Sequence, residues 1–224
     1  MTRPRPRTPT LARSEREGLA AALLAAGPDT VTLCEGWTVL DLAAHVVIRE
    51  YRPDSLPGLA GGPLQGYTER VRRGAAARGL PALAAQLRAG PPPWSPFGLP
   101  GVDARANLLE YVVHHEDVRR GDGTGPRPAQ AEPPGLREAV WDAIGTAGRL
   151  LTRRVPGGLA LRRDDAAGAV AGERVLRGGE DPVTLVGSPV ELALYLYGRR
   201  GAARVAIEGS PAARQRLAGG DLSV

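Results

Sequence analysis

Apolar residues recur at helical spacing up to about Arg154 and switch to short, partly alternating runs beyond Pro156, with Gly and Pro marking nearly every boundary. Such punctuation restricts the chain to a set of separate helices followed by a small mixed part. Leu11 to Ala26 is rich in Ala and Leu, carries Ser14, Glu15, Arg16 and Glu17 in its early turns, and stops at Gly27-Pro28. A second helix opens at Thr38-Val39-Leu40-Asp41, a capping-box pattern, and runs to about Tyr51 ahead of Pro53. Its apolar residues leave His45 near the buried side.

Residues 52–63 read as loop, followed by weaker helical pieces from Leu64 to Arg73 and from Pro81 to Arg88, and by a break at Gly90-Pro91-Pro92-Pro93. Asp103 is a good N-cap for a strong helix that extends to Arg120 and stops at Gly121. Leu136 to Arg154 forms the next, preceded by Pro133-Pro134. Beyond Pro156, Gly158 to Arg162, Ala169 to Leu176, Pro182 to Val186 and Arg204 to Glu208 have the length and turn boundaries of strands. Gly187-Ser188-Pro189 and Gly209-Ser210-Pro211 each set Ser at an N-cap and Pro at the first helical position, and Glu191 completes a second capping box with Ser188. The fold class is therefore mainly α with a C-terminal α+β part: a disordered arm over residues 1–10, an up-and-down helical bundle over 11–154 and a small α+β module over 157–224.

A length of 224 residues and a hydrophobic fraction of 42% suffice for a sizeable core. All 29 basic residues are arginine, and the net charge is +5. These arginines fall in scattered pairs such as Arg72-Arg73 and Arg153-Arg154, with no aromatic residues interleaved for base stacking, so no nucleic-acid partner is expected. A single cysteine, Cys34, excludes an internal disulfide; with no apolar leader and no membrane-length apolar run, a soluble cytoplasmic protein is expected.

The chain has three histidines, His45, His114 and His115. On a helix Glu110 and His114, four apart, share one face and can hold a single ion together, with His45 as a third ligand from another helix. Two imidazoles and a carboxylate suit zinc or nickel better than calcium. The same spacing also fits an i,i+4 surface pair beside a hydrogen-bonded interior histidine. Asp117 is a candidate acceptor for a ligand imidazole, and His115 either lines the cavity or is structural. Cys34 reads as a turn anchor and Trp37 as a hydrophobic staple at N′, while Trp94 and Phe97 are candidates for a wall over the cavity.

The run Cys34-Glu35-Gly36-Trp37-Thr38-Val39-Leu40-Asp41-Leu42-Ala43-Ala44-His45, followed by Glu110-Tyr111-Val112-Val113-His114 and Asp117, resembles the mycothiol-dependent maleylpyruvate isomerase-like family of actinobacteria, within the DinB-like metal-binding bundles. The resemblance implies that His45, Glu110 and His114 bind a divalent metal, usually Zn2+, in a DinB-like four-helix bundle. It implies mycothiol as a thiol cosubstrate, a small electrophilic metabolite as substrate and an isomerase or S-transferase activity, in which the thiolate adds to an electrophilic carbon. It also implies a sterol-carrier-protein-like C-terminal module, one of whose arginines, Arg199 or Arg200, meets the substrate anion. The alternative is a metal-binding or ligand-sensing module without turnover. The oligomeric state is open.

Overall fold

The structure, a computed structural model, describes residues 8–58, 62–99, 107–121, 132–164 and 170–220. The chain forms two compact units, Met1–Pro133 and Pro134–Val224. Residues 1–7 of the expected arm and the expected N-cap Asp103 lie outside the described residues.

Unit 1 holds α1 (Thr8–Ala26), α2 (Val39–Tyr51), α3 (Gln65–Ala76), α4 (Leu80–Ala89) and α5 (Leu108–Gly121), with 3-10 turns at Pro53–Gly58 and Pro96–Gly98. α1 begins at Thr8, within the stretch assigned to the arm, and ends where Gly27 takes a φ of 86°, a conformation open to glycine. The capping box of α2 is formed: the Asp41 N–H donates to Thr38 Oγ1 and the Thr38 N–H donates to Asp41 Oδ2 at 3.1 Å. α1 packs against α5 and α4, and α2 against α3 and α4. Leu19, Leu23, Leu42, Ile48, Leu83, Leu87, Leu108 and Leu109 fill the space between them.

In α5 every residue from Leu108 to Val118 except Glu110 is buried, so this helix has no solvent face over most of its length. Its polar residues must then find partners inside the protein, because burying an uncompensated polar or charged group costs several kcal/mol. Tyr111 donates to Glu50 of α2 at 2.7 Å, His115 Nδ1 lies 3.6 Å from Glu15 of α1, and Arg120 donates to Glu116 at 2.9 Å.

Unit 2 contains α6 (Leu136–Leu151), β1 (Leu159–Asp164), β2 (Val170–Arg177), β3 (Val183–Gly187), α7 (Pro189–Leu196), β4 (Ala206–Glu208) and α8 (Pro211–Gly219). The sheet order is β2-β1-β3-β4, with β1 parallel to β3 and the other two pairs antiparallel. Leu159, Leu161, Val183 and Leu185 are buried, and α7 packs on β1 and β3 while α6 packs on β2 and α7. α6 thus belongs to the second unit, whereas the sequence reading ended the bundle at residue 154. It stops at Leu151, three residues earlier than expected; Thr152 leaves helical space and its hydroxyl donates to Gly148 O at 2.7 Å. Ser188 and Ser210 cap α7 and α8 as their sequence signatures require. Glu191 also accepts from the Arg204 N–H at 2.7 Å, tying the start of α7 to the approach to β4.

The expectation of a mainly helical chain ending in an α+β part is met. No helix among the described residues is long and apolar enough to cross a membrane.

The Thr38 cap sets where α2 begins. Thr38→Ala is expected to cost about 1 kcal/mol of stability, read as a lower urea midpoint at unchanged m-value.

Candidate metal centre

α5 presents Glu110 and His114 one turn apart, and α2 brings His45 against them: one ligand atom from each of the three lies within 4.8 Å of the others. The His45 and His114 rings meet edge to face, with centroids 5.3 Å apart. The three residues singled out from the sequence are therefore brought together. Cys34, His114 and Asp117 form a second set equally close, so His114 is shared, with one ring nitrogen serving each side.

The two sides of that ring differ. His114 Nδ1 is 2.9 Å from Oδ2 of Asp117, which is fully buried and also accepts the Cys34 thiol at 3.3 Å. Nε2 faces Glu110 Oε2 at 3.3 Å without the alignment of a hydrogen bond, and is itself buried. With Nδ1–H donated to Asp117, Nε2 carries a lone pair. A lone pair and a carboxylate oxygen at that separation repel unless a cation, proton or metal ion, lies between them. The donor set of two imidazoles and a carboxylate, with a carboxylate bracing one imidazole from behind, fits a borderline divalent ion such as zinc.

The electrostatics point the same way. Burial pushes the Glu110 pKa up, but Arg49, His114 and His45 together hold it well below the usual carboxylate range, so the group is ionised. Burial opposes charge on His114, yet Asp117, Cys34 and Glu110 raise its pKa well above that of an ordinary histidine. The environment that favours imidazolium is one that favours a bound cation.

Arg49 is a site residue the sequence reading passed over. Its Nε lies 3.7 Å from Glu110 Oε2, its guanidinium sits 4.3 Å above the Phe97 ring, and it donates to Asn107 Oδ1. The signal was available, since Arg49 stands four residues after His45 and shares its face of α2. Phe97 therefore reaches the site through Arg49, whereas Trp94, its expected companion in the wall, is exposed.

A cavity of about 480 Å3 opens beside His45, between Trp37 and the residues of α3 that include Gln65, Glu69 and Arg72. Trp37 lies 5.0 Å from the His45 ring, beneath the Arg72 guanidinium at 5.1 Å. It is a wall residue as well as the N′ residue of α2. Arg72 is held by Asp41, which is not part of the lining, and by Glu69 at 2.7 Å; Arg73, also in the wall, donates to the same Glu69 at 2.8 Å. The Asp41 pKa is raised by burial but lowered on balance by the Arg72 and Thr38 hydrogen bonds.

The remaining sequence candidates have partners of their own. His115 is buried between α5 and α1, where a Cβ on Gly18 would come 3.2 Å from its ring, and it is not part of the lining of the cavity beside His45. Arg199 and Arg200 belong to unit 2: Arg199 donates to Tyr197 O, and Arg200 donates to Ala218 O and Gly220 O at 3.0 and 2.6 Å.

No protein-family profile matches the chain, and no curated protein sequence does. Solved structures similar to it include the crystal structure of the mycothiol-dependent maleylpyruvate isomerase, 18% identical over 89% of this chain and 90% of that one, with a TM-score of 0.49. A histidine-to-alanine mutant of that isomerase matches over the same shares at 18% identity and a TM-score of 0.47.

Asp117→Asn keeps the shape of the brace but removes its charge. At a zinc-loaded centre it is expected to weaken binding by about 10- to 100-fold in competition with a chromophoric chelator. A second expectation concerns acid. With its folded pKa below the unfolded value, Asp41 contributes stability that is complete above about pH 4 and falls away as pH drops through the folded value. In urea melts from pH 6 down to about pH 2, Arg72→Met should flatten that acid-side decline.

Proposed function

We propose that this chain is a divalent-metal protein, zinc being the first ion to test, that uses a low-molecular-weight thiol in an isomerase or S-transferase reaction on a small electrophilic metabolite. Within that reading unit 1 is a DinB-like bundle and unit 2 a sterol-carrier-protein-like module. The observation that carries the metal assignment is the convergence of His45, Glu110 and His114, with Asp117 holding the far nitrogen of His114. The thiol chemistry rests on the likeness of the 34–45 and 110–117 segments to the mycothiol-dependent isomerase-like family.

Each residue has a part in this reading. His45, Glu110 and His114 hold the ion. A bound divalent cation lowers the pKa of a coordinated thiol, so that the thiolate is available at neutral pH. Asp117 fixes the His114 tautomer that leaves the Nε2 lone pair facing the ion. Arg49 keeps Glu110 ionised. Trp37, Gln65 and Glu69, the last paired with both Arg72 and Arg73, line a cavity suited to the polar body of a thiol cosubstrate. An arginine of unit 2, Arg199 or Arg200, is the candidate for the substrate anion.

The test is elemental mass spectrometry of the tag-free protein beside His45→Ala and His114→Ala, followed by assay of the loaded protein with mycothiol and maleylpyruvate. About one ion per chain is expected, lost in both variants, with thiol-dependent turnover that follows the metal. Absence of metal after reconstitution would overturn the reading; metal without any reaction of a thiol leaves a binding or sensing module instead.

A further inference from the structure

A second cavity, of about 620 Å3, opens in unit 1 between α2, α3 and α4. Its floor is apolar: Val47 and Ile48 of α2 are buried there, and Val71 of α3 joins them in the lining. Arg52, Arg70 and Arg78 also line it, and among the described residues no acidic side chain does. Arg52 is neutralised by Asp54 at 2.7 Å. Among the described residues the other two meet neutral acceptors: Arg70 donates to Gly66 O at 3.4 Å, and Arg78 donates to the side-chain oxygen of Gln86.

Gly74 lines the same cavity. It lies inside α3 with ordinary helical backbone, and a Cβ built on it would meet nothing within 4 Å. Glycine weakens a helix relative to alanine, and neither a turn nor a close approach requires it here. Gly74 is exposed and lines the cavity, so what the missing side chain leaves is open room at its mouth.

We propose that this cavity is a second ligand site, separate from the candidate metal centre, which takes a small organic carboxylate with an apolar, ring-sized body. The volume lies in the range of small-molecule sites. An apolar ring displaces water from Val47, Ile48 and Val71, and the carboxylate is met by Arg70 and Arg78 in charge-assisted hydrogen bonds. Two guanidiniums with no acidic partner among the described residues select against cations and against the uncharged analogue of the same shape.

The probe is 2-naphthoate, titrated into the full chain by isothermal calorimetry beside 2-naphthamide, which has the same rings without the charge. One naphthoate per chain is expected, with the amide weaker by about tenfold or more. The double variant Arg70→Gln/Arg78→Gln should remove that preference by weakening the carboxylate alone. Gly74→Phe, which sets a ring into the cavity, should abolish binding of both, while Gly74→Ala keeps it. His45→Ala should leave both affinities unchanged. Melting curves establish that each variant is folded, and the arginine pair decides the matter should Gly74→Phe fail to fold. No naphthoate binding up to about 1 mM, equal affinity for the amide, or binding that survives in folded Gly74→Phe overturns the proposal. Loss in His45→Ala also overturns it, by assigning the probe to the metal centre, and leaves the thiol-enzyme reading untouched.

Discussion

The burial of polar side chains on α5 is the constraint on which the rest of unit 1 depends. A helix that buries Glu116, Asp117 and two histidines is stable only if neighbouring elements deliver partners to fixed heights along it. Glu15 comes from α1, Glu50 and Arg49 from α2, and Cys34 from the turn ahead of α2. Apolar packing alone would tolerate small slides between helices. Paired polar groups do not, because a displaced partner leaves a buried charge behind. The candidate metal centre is one station on this polar spine, and its precision follows from the others.

Arg49 shows how such a site balances opposing demands. A guanidinium beside Glu110 keeps that carboxylate ionised in a buried setting, but it also competes for the same oxygen and adds positive charge next to the candidate metal centre. The stacking on Phe97 and the bond to Asn107 hold the guanidinium in place, so its field acts from a fixed position. A cation placed so close favours bound anionic ligands over neutral ones.

Much of this was legible in the chain and some was not, for identifiable reasons. Local signals held: Thr38 with Asp41, Gly27, Ser188 and Ser210 mark helix ends through hydrogen bonds that span three or four residues. Glu110 and His114 were recognisable because helical periodicity alone puts them on one face. Long-range partnerships were less accessible. Cys34 and Asp117 are far apart in sequence, and nothing local says that a turn anchor will rest on the carboxylate that braces His114. The ownership of α6 was hidden too, since an apolar helix face does not reveal which core it will cover. The reading of Trp37 as a staple described its position at the start of α2 but not the ring and cation on either side of it.

The turn that leads into α2 is fastened directly to α5. Leu33 N–H donates to Asp117 O at 3.1 Å, the Cys34 thiol reaches the side chain of the same residue, and Gly121 packs so closely on the backbone of Thr32 and Val31 that it has no room for a Cβ. From that anchorage to His45 the chain is a short turn and then unbroken helix, so the stretch acts as a ruler. Adding or deleting one residue between Val39 and His45, within α2, would swing the imidazole by about 100° relative to the anchored turn and out of reach of His114. This gauge must therefore keep its length for as long as the site is in use, while the loop between α2 and α3, which lies off that path, is under no such arithmetic.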